Sequence, residues 1–90
     1  MAKKIGAEKK REIQSLSQAV GAVLTELRTQ KGWSLRELSH RVNYVTNTIS
    51  DVEMARKSPT LRTLEALAGA YSLKVSDVIL AAEKAQKSRQ

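Results

Sequence analysis

Residues 34–53 read Ser34-Leu35-Arg36-Glu37-Leu38-Ser39-His40-Arg41-Val42-Asn43-Tyr44-Val45-Thr46-Asn47-Thr48-Ile49-Ser50-Asp51-Val52-Glu53. The spacing of the apolar members decides the fold. Leu35, Leu38 and Val42 recur at three- and four-residue steps, the helix period. Ser34 followed by Glu37 fits a capping box, in which the hydroxyl accepts from the Glu37 amide and the carboxylate reaches back. Asn43 tolerates the left-handed conformation that ends a helix. A second helix follows from about Thr46 to Met54, burying Ile49 and Val52, with Tyr44 or Val45 at its entrance. Its other face is Thr46, Asn47, Ser50 and Asp51, short, polar and mostly uncharged. A solvent-facing helix more often carries Lys and Glu, which solvate well and favour the helix.

Placed together, these segments have the spacing of a helix-turn-helix. Ser39 is small enough for two helices to cross closely, and Asn43 supplies the turn. One face of the second helix is left free to enter a major groove.

Three further helices extend outward from this pair. One runs from about Ser17 to Gln30, with Val20, Val23, Leu24 and Leu27 on one stripe and Gly32 as its stop. Ala55-Arg56-Lys57-Ser58-Pro59 is a loop. Thr60 caps the next helix, whose face is Leu61, Leu64, Leu67, Ala68 and Tyr71. Ser76 caps the last, with Asp77 in its first turn and Val78, Ile79 and Ala82 on its apolar side. The chain lacks Phe, and Pro59 is its one proline. The expected fold is all-α, with five helices over residues 17–83. A basic N-terminal arm over 1–16, disordered or a helical extension, precedes them. A frayed tail over 84–90 follows.

Ninety residues fit one small domain with tails and leave little room for a two-domain enzyme with a deep cleft. There is no Cys and one His. Disulfide scaffolds, thiolate metal sites and His clusters are therefore excluded, and no metal or cofactor is expected. No apolar run approaches the roughly 20 residues that cross a bilayer. The N-terminus lacks the apolar segment of a secretory signal, so the cytoplasm is the expected location.

Sixteen Lys and Arg against nine acids give a net charge of +7. Residues 17–80 carry eight bases and six acids, so most of the excess lies on the flanks. Basic tails are either solvated ends or arms that add non-specific attraction to phosphate.

Residues 20–80 resemble the lambda repressor and Cro family of helix-turn-helix regulators, the XRE family. The resemblance is carried by Leu27-Arg28 with Gly32, Ser34 to Leu38, Ile49 to Glu53, Pro59 to Leu64, and Leu67-Ala68. It implies a five-helix domain that binds operator DNA as a dimer. The sequence departs from the family pattern at Leu35, where Gln is common, and at Asn43 and Ala55, where Gly is. Ser39 stands where Ala is usual.

Thr46, Asn47, Ser50 and Asp51 are the candidates for base contact. Asn can bond an adenine edge in bidentate fashion, and a Thr methyl can touch a thymine methyl. Asp51 can instead pair with a neighbouring base such as Arg56. Arg36, Tyr44, Thr48, Arg56, Lys57 and Arg62 are the candidates for phosphate contact, against the alternative of solvated surface groups. Glu53 is read as a structural acid bonding Arg28. Trp33 is read as a staple before the Ser34 cap, and His40 as exposed. Val75, Val78, Ile79 and Ala82 are the expected dimer surface, unless that face packs within its own subunit. The expected partners are double-stranded DNA and a second copy of the chain. The alternative is an antitoxin-type module whose partner is a protein. No acid–base pair supports an enzyme.

Overall fold

The computed structural model describes residues 15–88, so most of the expected N-terminal arm lies outside the described residues. Within them are five helices and no strand: α1 Leu16–Lys31, α2 Leu35–Val42, α3 Thr46–Glu53, α4 Leu61–Ala70 and α5 Val75–Ser88. The all-α expectation is met.

The helix starts follow local chemistry. The Ser34–Glu37 box forms as expected, with Ser34 N donating to Glu37 Oε1 at 2.8 Å and Glu37 N to Ser34 Oγ at 3.0 Å. A second box starts α1, where Ser15 accepts from Gln18 N at 3.1 Å and donates to Gln18 Oε1 at 3.0 Å. Ser15 sets the start of α1 slightly ahead of the expected Ser17. Thr60 caps α4 by accepting from Thr63 N at 3.0 Å. Ser76 does not cap α5. The helix starts one residue before it, and Asp77 reaches back to the Lys74 amide at 2.8 Å. At its other end α5 runs to Ser88, through most of the stretch expected to fray.

The core is a single cluster. It joins Ala19, Val20 and Leu24 of α1, Leu38 of α2, Ile49 and Val52 of α3, Leu64, Leu67 and Ala68 of α4, and Val78 and Ala82 of α5. α1 lies along α5 and also packs on α3, while α2 packs on α3 and α4. Leu61, expected on the buried stripe, is 78% exposed. Thr63 is buried at that end of α4 instead, its hydroxyl 3.0 Å from that of Thr60.

Two of the four residues expected at a dimer surface are corrected here. Val78 and Ala82 are fully buried against their own core. A second copy could reach them only by unpacking the subunit. Val75 and Ile79 are half-buried against the same core, and Leu80 is the large apolar side chain that α5 exposes.

Tyr71, just past α4, is buried with no hydrogen-bond partner for its hydroxyl among the described residues. Burial, and next the Glu53 carboxylate, push its pKa up to about 12 from 10.0. The sign of the linkage follows. An unfolded chain ionises this phenol near pH 10, while the folded chain keeps it neutral to about 12. Its contribution to stability is complete below the unfolded value and is lost as pH rises through that window. Denaturant midpoints should therefore decrease as pH rises from 10.0 to about 12. Tyr71→Phe should flatten the fall, and an unchanged fall in that variant would assign it to other groups.

Candidate nucleic-acid interface

The turn between α2 and α3 is built as its residues dictate. Asn43 takes the left-handed conformation, with φ 61° and ψ 40°. The Ser39 hydroxyl donates across the turn to the Tyr44 carbonyl. Ser at this contact is therefore small enough for the crossing and also satisfies a carbonyl that Ala would leave to water. Tyr44 packs half-buried against the core, whereas Val45 is 66% exposed. The entrance to α3 is thus closed by Tyr44.

α3 begins without a side-chain cap, since Val45 occupies that position. Where Ser, Thr, Asp or Asn stands there, the cap contributes about 1 kcal/mol. The first-turn amides thus have no side-chain acceptor, and that of Thr48 turns to the Val45 carbonyl at 3.1 Å. Asn47 is exposed on the first turn, while Thr46, Thr48, Ser50 and Asp51 are half-buried.

Asp51 and Ser50 are already engaged within the chain. Arg56 Nε donates to Asp51 Oδ1 at 3.0 Å, and Arg56 Nη2 donates to Ser50 Oγ at 2.8 Å. Lys57 Nζ lies 3.6 Å from Asp51 Oδ2. The backbone amides of Arg56 and Lys57 both donate to the Asp51 carbonyl, at 2.8 and 3.2 Å. The hydrogen bond from Arg56, and then the Lys57 charge, hold the Asp51 carboxyl below its ordinary value. Of the two roles open to Asp51, the structure displays the pairing with Arg56. Ser50 shares that function, so the pair fixes the loop that carries two cations.

The loop turns at Ala55, whose φ is 59°. The left-handed requirement met by Gly in related turns persists, and Ala bears it at a cost of about 1 kcal/mol. Beyond it a shallow groove of about 200 Å³ opens between α3 and the start of α4. Thr48, Asp51 and Lys57 line it together with Ser58, Thr60 and Thr63. Arg36 and Arg62 are exposed in the first turns of α2 and α4.

Behind this surface, Glu53 anchors α3 to α1. Arg28 Nε donates to both carboxylate oxygens, at 3.2 and 2.9 Å, and Nη2 donates to Oε1 at 3.0 Å. Nη1 donates to the Trp33 carbonyl at 3.0 Å. The Glu53 carboxylate raises the Arg28 pKa further. This is the structural pair expected from the sequence. Trp33 is more than a staple. Its ring stacks on Tyr71 at 5.6 Å, and the Arg41 guanidinium lies 4.0 Å from its centre, so it ties α2 to the end of α4. His40 is exposed, as expected.

The family model for the helix-turn-helix domain matches residues 19–78, two-thirds of the chain. The chain belongs to the helix-turn-helix domain family. The resemblance to lambda repressor-like regulators read from the sequence is borne out. Over 56 residues the chain is 34% identical to the HTH-type transcriptional regulator DdrOP3 of Deinococcus deserti, covering 62% of this chain and 43% of that protein. Over 60 residues it is 32% identical to the immunity repressor protein of Bacillus phage phi105, covering 67% of this chain and 42% of that one. The chain thus spans under half the length of these two relatives. Two crystal structures of the clp gene regulator ClgR from Corynebacterium glutamicum share the fold. One superposes with a TM-score of 0.77 at 29% identity, covering 83% of this chain and 80% of that one. The other gives 0.75 at 30%, covering 82% and 95%.

Two features of the interface were missed in the sequence. The Ser50–Arg56 bond joins residues six apart across a helix end, which no helix period displays. The missing cap at Val45 has a signal in the sequence, since a Val side chain cannot accept a hydrogen bond, but its apolar type points equally to the core.

Proposed function

We propose that this chain is a sequence-specific DNA-binding regulator of transcription, acting as a repressor. In this reading it binds a two-fold-symmetric operator as a homodimer, with α3 in the major groove. The observation that carries the reading is the uncharged polar start of α3, flanked by cations. Asn47 is exposed there, and Arg36, Arg56, Lys57 and Arg62 are exposed on neighbouring elements. Asn47 and Thr46 are the base readers in this reading. Ser50 and Asp51 act mainly by holding Arg56 and Lys57 for phosphate. Arg36, Arg62, Tyr44 and Thr48 contact the backbone, helped by helix N-terminal amides.

Dimerisation through the half-buried Val75 and Ile79 and the exposed Leu80 of α5 is part of the proposal. It would set two copies of α3 about one DNA turn, roughly 34 Å, apart. No described helix is long and apolar enough to cross a membrane, and the reading places the chain in the cytoplasm. The two relatives are a transcriptional regulator and a repressor, which supports occupancy of a promoter as the mode of action.

Selection of bound duplexes from a random library tests the reading. The expected result is a palindromic consensus with half-sites one turn apart. Recovery of no consensus would overturn it and favour a protein partner. On the selected site, Asn47→Ala should relax base preference at one position per half-site, costing about 1–3 kcal/mol in affinity. An equal loss on every sequence would remove Asn47 as a reader.

A further inference from the structure

We propose that Val45 is a specificity-determining residue, its exposed γ-methyl groups contacting the 5-methyl group of a thymine in the major groove. The inference rests on the operator-binding reading and adds to it a residue and a base identity. Three observations carry it. First, Val45 holds the N-cap position of α3, where a hydrogen-bond acceptor is strongly preferred, and it makes no cap bond. The caps of α1, α2 and α4 are Ser15, Ser34 and Thr60, each accepting from the third helical amide. Second, the apolar side chain is not used for packing, since 66% of the residue is exposed. Local stability thus gives no reason for Val here. Third, the position is held at the exposed helix start that also carries Asn47. The Val45 carbonyl accepts from Thr48 N at 3.1 Å and Ile49 N at 3.3 Å, which fixes the residue at the helix start two positions before Asn47. A β-branched side chain has little χ1 freedom to lose on binding.

The chemistry names the target. Among the unmodified bases, the major-groove edges carry hydrogen-bonding groups and a single apolar group, the thymine methyl. A stiff pair of exposed methyls beside an amide reader is matched to that group.

The test uses the full chain and the consensus selected with it. Each thymine of the site is replaced singly by deoxyuridine, which deletes the methyl and leaves every hydrogen bond. Affinities are then measured for the parent chain, Val45→Ala and Val45→Ser. The parent should lose about fourfold or more at one thymine per half-site, the worth of a buried methyl. Val45→Ala should bind the thymine site as weakly as the parent binds the uracil site, and should be indifferent to the replacement. Val45→Ser restores a cap, so its thermal midpoint should rise while the thymine preference disappears. That combination separates recognition from folding. If parent and both variants respond alike to every replacement, Val45 reads no methyl and the proposal fails. If the parent selects no consensus at all, the operator reading itself falls, and this proposal falls with it.

Discussion

Replacing Arg28 with Ala is expected to lower stability by about 3–5 kcal/mol, the cost of stranding one partner of a buried ion pair. The Glu53 carboxylate is 5% exposed and receives three hydrogen bonds from one guanidinium. In the variant the nearly buried carboxylate is left without its donor, and the Trp33 carbonyl loses its donor as well. The size of the effect reports desolvation more than attraction, and the double variant exposes this. Arg28→Met with Glu53→Leu removes both charges while keeping apolar volume, and should cost far less than Arg28→Ala alone. Urea midpoints of Arg28→Met, Glu53→Leu and the double variant measure the coupling. Additive losses would mean that the pair does not act as a unit. The consequence for function lies in position, because Glu53 ends α3 and Arg28 stands on α1. Breaking the pair loosens the helix proposed to read DNA, so operator affinity should fall even under conditions where the variant remains folded.

That pair was legible in the sequence through family resemblance, whereas the helices were legible through chemistry. Apolar spacing at Leu35, Leu38 and Val42 and the Ser34–Glu37 box are local features, and local features survive folding. The errors arose where a residue's environment is set by elements distant in the chain. Leu61 sits on the same helical stripe as Leu64, yet the first turn of α4 faces the core through Thr63 and Leu64 and leaves Leu61 exposed. Val78 and Ala82 read as surplus apolar surface in the sequence because periodicity cannot say how much of a stripe its neighbours cover. In the fold both residues are fully buried, with α1 and α4 packed on α5. In the candidate site, the uncharged face of α3 was readable from residue types. The Asp51–Arg56 pair is legible there as an alternative, but the Ser50–Arg56 bond is not, because the path of the 54–60 loop decides that Arg56 returns to Ser50 as well.

Gly21→Ala carries the other large expected effect, and it opposes the intrinsic preference of the helix. In an exposed helix interior Ala is favoured over Gly by about 1 kcal/mol. At Gly21 a Cβ would stand 2.4 Å from the Glu53 carbonyl oxygen and 2.7 Å from that of Val52. Both obstacles are backbone atoms at the end of α3 and cannot rotate aside. α1 and α3 must separate, which opens the contacts of Val20 and Leu24 with Ile49 and Val52 in the shared core. Overpacking costs about 1–3 kcal/mol where side chains can adjust, and more where they cannot. A net loss of about 3 kcal/mol is expected, a thermal midpoint lower by on the order of 12–20 °C for a domain of this size. Gly69 is the control, because a Cβ there meets nothing within 4 Å. Gly69→Ala on α4 should raise stability by about 1 kcal/mol from helix propensity alone. Opposite signs for the two substitutions would establish that α1 and α3 approach through the one residue that has no side chain. Stabilisation by both would mean that α1 and α3 lie farther apart at Gly21 than the close approach to Glu53 and Val52 requires.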